Sequence, residues 1–259
     1  MIKSNCYICG HELLFLKKIK KPQKNENTFN FSIKKFNKKF YECKNCFHIY
    51  NFHSFRKEIL NIYKKNYNFQ SHNNIKEKFN SIISIKKSES SNYYRIKALL
   101  PFLKKKYKIL DVGSGIGVFP YEIQKKGFNI DCLEYDKQAC TFLKKIGLRT
   151  IRKSIMNYKI PKKYDFLTFN KILEHLPIKN ISHVLKHVDE KKKIYIEVPS
   201  VRAKKVSLKR QEFFLEHFNI FSKKSFTLLV SKLNYKIKKI SDIKEINNKY
   251  TLRAIIEKK

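Results

Sequence analysis

Residues 109–117 read Ile-Leu-Asp-Val-Gly-Ser-Gly-Ile-Gly, and this stretch holds three of the six glycines in the 259-residue chain. A chain with few glycines concentrates three where its backbone must bend sharply or pass close to a neighbour. Ile109 and Leu110 close a short apolar run before the glycines, and Pro120 follows just inside the next helical segment, where its missing N–H costs little. The order of strand, glycine turn and helix predicts the first βα unit of a nucleotide-binding α/β sheet.

Strand-like and helix-like segments alternate from residue 107 onward. The predicted strands are 108–112, 129–135, 149–152, 164–169, 194–198, 236–240 and 250–257, and helices are expected up to residue 126 and over 137–146. Before them, apolar spacing around Ile59 and again around Leu99 predicts helices in 56–106. The polar tract 70–74 between them is expected to be a loop. The pattern indicates one α/β sheet of seven strands.

The residues around the glycine turn indicate which kind of nucleotide binds there. Val118 stands where a dinucleotide fingerprint has its third spaced glycine, and the chain has no Gly-Lys-Ser/Thr phosphate loop. Asp111 beside the turn would repel a pyrophosphate, whereas a positively charged cofactor without phosphates suits it. Glu134 ends the second predicted strand, where a carboxylate can accept hydrogen bonds from both ribose hydroxyls of an adenosine.

Together, these residues resemble the class I S-adenosylmethionine-dependent methyltransferases, whose first motif is an acidic residue followed by Gly-x-Gly-x-Gly. The resemblance implies a Rossmann-like seven-stranded methyltransferase sheet that ends in an antiparallel hairpin, and it implies S-adenosylmethionine as the cofactor. The positions it assigns to cofactor binding are Asp111, Gly113, Gly115, Gly117, Glu134, Tyr135, Ser154, Ile155 and Asn170. The acidic adenine contact usual after the third strand of the family is Ser154 here.

Two Cys-x-x-Cys pairs, Cys6/Cys9 and Cys43/Cys46, lie near the start of the chain. Each pair can offer two corners of a tetrahedron, so the four cysteines predict a structural Zn²⁺ site in a small zinc-ribbon-like domain. Two unrelated redox-active or buried pairs are the alternative. The 33-residue spacer is long for a ribbon, and residues 29–40 are expected to extend it as a hairpin.

Three regions follow from these patterns. Residues 1–55 form the predicted zinc-binding ribbon, residues 56–106 a helical connector or cap, and residues 107–259 the S-adenosylmethionine-binding domain. The remaining thiols, Cys132 and Cys140, lie within a predicted strand and a predicted helix and are expected to be small core residues.

Candidate catalytic residues follow the fourth and fifth predicted strands, whose carboxyl ends border the ligand site in such sheets. Glu174 and His175 follow the fourth strand, and Glu216 and His217 close a long segment after the fifth. Histidine is neutral enough at pH 7 to accept a proton. We expect His217 to be the general base, with Glu216 orienting it or acting as the base itself. His175 is the competing candidate, although it could also be a loop-packing residue.

The segments Glu174-His-Leu, Glu197-Val-Pro and Glu216-His217 resemble those of methyltransferases that act on sugars and cell-surface metabolites. The sugar C-methyltransferases in that group also begin with a two-pair zinc-binding domain and contain a Tyr-x-x-x-Tyr segment, here ending at Tyr67. The resemblance implies that Tyr67 contacts the substrate. Phe214 stands where the group usually has Tyr, so the resemblance leaves carbon and oxygen transfer both open.

The net charge of +37 indicates anionic partners. The excess is Lys spread along the whole chain, which is also expected from A/T-rich coding DNA. We expect a small anionic acceptor such as a nucleotide-linked sugar, for C- or O-methylation in cell-surface glycan or secondary metabolite synthesis.

The alternative is an rRNA or tRNA methyltransferase that uses its ribbon to bind RNA. Asn170 is followed by Lys171-Ile172, not by the Pro-Pro-Tyr/Phe of exocyclic-amine methylation. A non-catalytic zinc module with a relic Rossmann domain is the third reading. No apolar run is long enough to span a membrane and no signal-peptide pattern is present, so a cytoplasmic location is expected.

Overall fold

A computed structural model describes residues 5–65, 74–189 and 192–259, with side chains omitted for 63–65. The chain begins with three antiparallel strands, β1 Leu13–Ile19, β2 Lys38–Cys43 and β3 Ile49–His53. The expected hairpin over residues 29–40 is wrong, because the strand begins only at residue 38 and a 3₁₀ turn, Ile33–Lys35, precedes it. Phe29 and Phe36 are instead buried in an aromatic cluster that also holds Leu215. Burial of these rings replaces strand pairing there.

The second region is helical, as predicted: α1 Arg56–Lys65, α2 Ile75–Ile83 and α3 Ser91–Leu99. Side chains of Asn74 and Ser90 cap α2 and α3, each by accepting the backbone N–H of the residue three positions later. Pro101 then limits the helix to one 3₁₀ turn before the sheet begins. None of the helices in the described residues is long and apolar enough to cross a bilayer.

The rest of the chain builds the main α/β sheet and its helices. In chain order it contains β4 Lys108–Val112, α4 Val118–Lys125, β5 Asn129–Glu134, α5 Lys137–Lys145, β6 Arg149–Arg152, β7 Phe166–Asn170, α6 Ile178–Lys186, β8 Lys193–Pro199, β9 Asn219–Ile220, α7 Lys223–Lys232, β10 Tyr235–Lys244 and β11 Tyr250–Lys258.

Seven of these strands form one sheet in the order β10-β11-β8-β7-β4-β5-β6. The core strands are parallel, and β11 runs antiparallel to both of its neighbours. Apolar residues of the central strands β4 and β7 are buried, since helices cover both faces. The predicted Rossmann-like α/β fold with a terminal antiparallel hairpin is confirmed. Because β4 and β7 are adjacent, the segments that follow them meet at one edge of the sheet.

The small N-terminal sheet is completed from elsewhere in the chain. Strand β9 pairs with β3, so the strand order of this small sheet is β1-β2-β3-β9. Backbone and side-chain bonds extend this contact, including Asn51 N–H to the Phe218 carbonyl and Ser222 Oγ–H to the Cys46 carbonyl. The division of the chain at residues 55 and 106 remains a prediction, and the first 55 residues share a sheet with the segment around residue 219.

Candidate active site and metal centre

The glycine turn between β4 and α4 requires its glycines for two different reasons. Gly113 has φ +68°, and a Cβ there would lie 2.3 Å from Ile172 Cδ1 at the end of β7. Gly117 has φ +80°, and its Cβ would lie 2.3 Å from Leu143 Cδ2 on α5. The absence of a side chain at Gly113 therefore lets Ile172 approach the backbone of the turn. The absence of one at Gly117 lets α4 pack against Leu143 of α5.

Glu134 connects this turn to the end of β5. Its carboxylate accepts hydrogen bonds from the backbone N–H groups of Gly115, Tyr135 and Asp136, at 2.7–2.9 Å. Burial raises the pKa of Glu134, and the three N–H donors act in the opposite direction. The carboxylate is thereby fixed at the rim of the turn, with acceptor capacity left for a ligand.

Asp111 lies behind the turn and is almost fully buried. Its Oδ1 accepts hydrogen bonds from Thr168 Oγ1 at 2.6 Å and from Asn170 Nδ2 at 2.9 Å. Burial raises its pKa to about 6, while these donors favour the charged form. Asp111 and Asn170 thus hold β4 and β7 together at the sheet edge, and a buried oxygen of Asn170 has no hydrogen-bond partner in the described residues.

A cavity of about 540 Å³ opens beside Gly113 at the carboxyl ends of β4, β5 and β7. We call it the turn cavity. Of the predicted cofactor residues it is lined by Gly113, Glu134, Tyr135, Ser154 and Ile155, and it is further lined by Leu60, Val112, Leu133, Lys153, Met156, Asn157, Ile172, His175, Leu176 and Asn180. The predicted positions that do not line it are Asp111, Gly115, Gly117 and Asn170.

A second cavity, of about 380 Å³, adjoins the first. We call it the acid–histidine cavity. His175 lines both cavities, so it stands at their junction. The wall includes three carboxylic acids (Glu174, Glu212 and Glu216), two histidines (His175 and His217), two lysines (Lys171 and Lys249), and Asn25, Asn27, Pro199, Gln211, Phe214, Tyr250 and Thr251. All three predicted catalytic residues therefore meet around one space.

The two histidines are oriented by backbone carbonyls. His175 donates from Nδ1 to the Glu216 carbonyl at 3.0 Å, and His217 donates from Nδ1 to the Glu212 carbonyl at 3.1 Å. The expectation that the Glu216 side chain orients His217 is wrong, since a main-chain oxygen does so. In neutral His217 this contact makes Nε2 the basic nitrogen.

Burial lowers the pKa of both histidines. His175 falls to about 4, although carbonyls of Glu216 and Lys171 oppose the shift. The pKa of His217 is lowered well below its usual value by burial, by His175, and by the charges of Lys249 and Lys171. Both rings are therefore neutral at pH 7, as a proton acceptor must be.

Two carboxyl groups face this cavity without their full set of partners. Burial raises the pKa of Glu174 to about 8 and that of Glu216 to about 7. In each, Oε2 is buried and makes no hydrogen bond within the described residues. One ligand atom from each of Glu174, His175 and His217 lies within 4.8 Å of the other two. Buried polar atoms of this kind cost free energy unless something binds them.

The lysines of the cavity differ in their partners. Lys171 pairs with buried Glu245, with 2.6 Å between Nζ and Oε1. Lys249 forms no side-chain hydrogen bond or ion pair within the described residues, although the carboxylates of Glu245 and Glu212 favour its charged form. Burial, reinforced by the charge of Lys171, lowers the pKa of Lys249 to about 8. Lys249 is therefore an uncommitted cation in the cavity wall.

The four predicted zinc ligands converge. Their Sγ atoms lie within 4.8 Å of one another, with Cys6 to Cys46 at 3.6 Å and Cys9 to Cys43 at 3.3 Å. These separations suit sulfurs that each lie about 2.3 Å from a central Zn²⁺. Gly10, with φ +78°, follows Cys9 and closes a turn by donating to the Cys6 carbonyl. The same turn in the second pair ends at Phe47, with φ +58°.

Other predictions around the site have separate outcomes. Tyr67 lies outside the described residues. Cys132 and Cys140 are buried in the core, as expected. Sequence reasoning missed Lys249, Asn25 and Asn27, which reach the acid–histidine cavity from distant parts of the chain. A lysine among 58 basic residues, or an asparagine in a Lys/Asn-rich stretch, carries no local signal.

The profile of a methyltransferase domain family matches residues 89–240, which is more than half of the chain. The chain therefore belongs to that family. With its fold and turn cavity, it is an S-adenosylmethionine-dependent methyltransferase. No curated protein matches the chain significantly.

Solved structures share the fold at low sequence identity. A methyltransferase from Methanosarcina mazei is 16% identical with a TM-score of 0.52, covering 62% of this chain and 96% of its own. Magnesium protoporphyrin IX methyltransferase from Synechocystis PCC 6803, with bound S-adenosylhomocysteine, is 10% identical with a TM-score of 0.53, covering 67% and 84%. The 1,6-didemethyltoxoflavin-N1-methyltransferase of Burkholderia thailandensis is 11% identical with a TM-score of 0.54, covering 78% and 86%.

Proposed function

We propose that the enzyme methylates a hydroxyl or an acidic carbon of a small, sugar-like, anionic acceptor held in the acid–histidine cavity. The observation that carries this proposal is the pair of buried, unpartnered carboxyl oxygens on Glu174 and Glu216. Carboxyl oxygens are suitable acceptors for the vicinal hydroxyls of a sugar, and a flat aromatic acceptor would leave them unsatisfied.

In this proposal the cofactor occupies the turn cavity. Glu134 binds the ribose hydroxyls, Tyr135 and the Ser154–Ile155 segment border the adenine, and Gly113 allows the backbone to approach. The other four predicted cofactor positions do not line the turn cavity and instead shape the glycine turn. These are Asp111, Gly115, Gly117 and Asn170. When bound, S-adenosylmethionine supplies a methyl group that is already electrophilic because it is attached to a sulfonium.

The acceptor's anionic group is assigned to Lys249, assisted by Lys171. Lys249 is the lysine of this wall that forms no ion pair or side-chain hydrogen bond within the described residues. Glu245 and Glu212 offset only part of its desolvation, and an anion beside it would recover more. A nucleotide-linked or acidic sugar meets both requirements, hydroxyls for the carboxyl groups and a negative charge for the ammonium.

His217 is the proposed general base. Its Nε2 takes the proton from the attacking hydroxyl or carbon while that atom bonds to the methyl carbon and the carbon–sulfur bond breaks. A carboxyl oxygen of Glu174 lies within 4.8 Å of the ring nitrogen. Because its pKa is raised to about 8, Glu174 is mostly protonated near pH 7 and stabilises the imidazolium by charge only in the fraction that is ionised. His175, at the junction of the cavities, is proposed to orient the acceptor toward the turn cavity.

We also propose that Cys6, Cys9, Cys43 and Cys46 hold one structural Zn²⁺. The convergence of their four sulfur atoms supports it. Four protein ligands leave no position for a water molecule, so the metal would stabilise the fold and take no part in methyl transfer.

A labelled-methyl assay tests the proposed acceptor class. Purified enzyme is incubated with radiolabelled S-adenosylmethionine and with separate pools of nucleotide-linked sugars, uncharged glycosides, and rRNA. Transfer only to the anionic sugars is expected. Transfer to rRNA alone would replace the proposal with the RNA methyltransferase alternative, and equal transfer to uncharged glycosides would contradict the role of Lys249.

Variants then test the base. His217→Ala is expected to lower turnover roughly 10²–10⁴-fold while cofactor affinity stays near that of the wild type. His175→Ala is the matched variant on the facing ring. A near-normal rate in His217→Ala together with loss in His175→Ala would move the base to His175, and unimpaired turnover in both would refute base catalysis.

A further inference from the structure

A buried ion pair joins the N-terminal region to the segment that carries His217. Glu26 and Lys38 have fully buried side chains, and Lys38 Nζ donates to Glu26 Oε1. Neither residue lines the acid–histidine cavity. Both contact the backbone that leads into it.

The contacts of the pair converge on residues 213–215. Lys38 Nζ donates to the Phe213 carbonyl at 2.9 Å, and the Leu215 N–H donates to Glu26 Oε1 at 2.6 Å. Glu216 and His217 follow directly. The pair therefore satisfies one acceptor and one donor of the strand-free segment immediately before the proposed base.

Glu26 also fixes a second stretch of the cavity wall. Its Oε2 accepts the N–H of Gln23 at 2.8 Å, which closes the turn containing Asn25. Asn25, with φ +63°, and Asn27 flank Glu26 and line the acid–histidine cavity. One carboxylate thus bonds to two segments, distant in sequence, that both contribute lining residues to the acid–histidine cavity.

Stability alone is a poor reason for such a pair. Burying two charges costs desolvation that their attraction often fails to recover, and apolar residues of similar size commonly do as well. A buried pair does fix one relative arrangement of the backbones it bonds. Burial lowers the pKa of Lys38 and Glu26 opposes that shift, so the ammonium depends on its partner.

We propose that Glu26 and Lys38 are positioning residues that hold the Asn25–Asn27 wall in register with the segment carrying His217. The inference rests on the proposed function only in taking this space as the acceptor site. The N-terminal region then contributes directly to acceptor recognition, and its sheet is part of the active-site framework.

The test uses Lys38→Met, with Lys44→Met as the matched control. Lys44 directly follows β2 and pairs with Glu12, which directly precedes β1, but both side chains are more than half exposed. Hydrogen exchange is followed by mass spectrometry in peptides covering residues 211–218, with residues 108–118 as an internal reference. We expect exchange in 211–218 to rise roughly tenfold or more in Lys38→Met, with no change in 108–118 or in Lys44→Met.

A spectroscopic signature separates positioning from general stabilisation. The ring resonance of His217, assigned with His217→Gln in ¹³C-histidine-labelled protein, is expected to shift in Lys38→Met. The resonances of His183 on α6 and of His187, the residue after α6, should stay in place. The affinity for S-adenosylmethionine should remain within roughly threefold.

Equal increases in exchange across both peptides, with an unmoved His217 resonance, would overturn the proposal and make the pair a general stabiliser. If Lys38→Met fails to fold, Glu26→Gln replaces it, because glutamine keeps an oxygen for the Leu215 N–H. The His217 ring resonance must then shift in the same direction. These measurements need no acceptor. Their success together with a failed methylation screen would refute the acceptor class and leave the positioning role intact.

Discussion

Glu134 is the residue on which the geometry of the cofactor end depends most. It accepts N–H groups from both sides of the sheet edge, from Gly115 in the first turn and from Tyr135 and Asp136 after β5. A carboxylate held in this way is already in place before a ligand arrives, so the ordering cost of binding is reduced.

Replacing Glu134 by Ala is expected to weaken S-adenosylmethionine binding roughly 10- to 150-fold, because charge-assisted hydrogen bonds contribute about 1.5–3 kcal/mol. Isothermal titration calorimetry measures the change. Exposed Glu77→Ala on α2 is the control and should bind normally. Since Glu134→Ala also frees three backbone N–H groups, Glu134→Gln should keep more of the thermal stability. Unchanged affinity in Glu134→Ala would mean that the ribose lies elsewhere.

Glu174 gives the protein a pH-dependent stability. Its pKa is about 8 in the folded chain, above the usual value of 4.5, so the folded state keeps a proton that the unfolded state has lost. Stability therefore falls as pH rises from about 4.5 to about 8. Each pKa unit corresponds to about 1.4 kcal/mol, which makes the loss on the order of a few kcal/mol.

Glu174→Gln is expected to remove the part of the pH dependence of stability that arises from this carboxyl group. The variant should resemble the wild type near pH 5, where the carboxyl group is neutral, and unfold at a higher urea concentration near pH 8. Exposed Glu77→Gln should follow the wild-type curve at both values. If Glu174→Gln and the wild type differ equally at pH 5 and pH 8, the buried carboxyl group does not titrate in this range.

At the scale of elements, the contact between α4 and α5 is set by Gly117. Its positive φ ends the turn, and the absence of a Cβ lets Leu143 pack against the backbone. Dinucleotide-binding turns place a glycine for helix packing one residue later, and here Val118 occupies that position. The packing role has therefore moved to the last glycine of the motif.

Gly117→Ala should destabilise the protein more than Gly147→Ala does. Both glycines have φ +80°, so both substitutions carry the left-handed backbone cost of about 1–2 kcal/mol. Only the Gly117 methyl group meets a side chain, which adds about 1–3 kcal/mol of overpacking. Urea unfolding measures both. The double variant Gly117→Ala/Leu143→Ala should relieve part of the clash between the new methyl group and Leu143. Equal losses of stability in Gly117→Ala and Gly147→Ala would contradict the packing role of Gly117.

At the scale of the whole molecule, the small sheet and the main domain are built as one structure. Strand β9 follows β8 in the main domain but pairs with β3 of the small sheet, just before α7 begins. Buried His48 contacts Ser225 and Asn219, so it belongs to this junction and not to the cysteine cluster. Loss of the metal centre is therefore expected to reach the acid–histidine cavity.

Metal analysis of freshly purified, reduced protein should find one zinc per chain. Cys43→Ser should abolish zinc binding. It should also raise hydrogen exchange in β1–β3 and in the segment around β9, because metal binding is coupled to folding. Cofactor affinity should stay within roughly threefold, since the turn cavity is built almost entirely from residues after 107. Cys140→Ser, a buried thiol away from the cluster, is the control. Absence of zinc in wild-type protein would refute the site.

The features predicted from sequence are those whose signal is local. The glycine turn, the alternation of strands and helices, and the Cys-x-x-Cys pairs each lie within short stretches, because backbone sterics and hydrophobic periodicity act between near neighbours. The same locality explains the error at residues 29–40, where apolar residues read as a strand are drawn into a cluster with Leu215, nearly 200 residues away.

Tertiary structure alone decided which residues line the acid–histidine cavity. Sequence placed His175 and His217 after neighbouring strands. The carbonyls that orient them, and the lysine and asparagines that line the same cavity, come from separate parts of the chain. The sequence by itself determined the fold class, the glycine turn with Glu134, and the two cysteine pairs. Folding determined the acid–histidine cavity, because its charges and donors acquire their pKa values and partners only when burial brings them together.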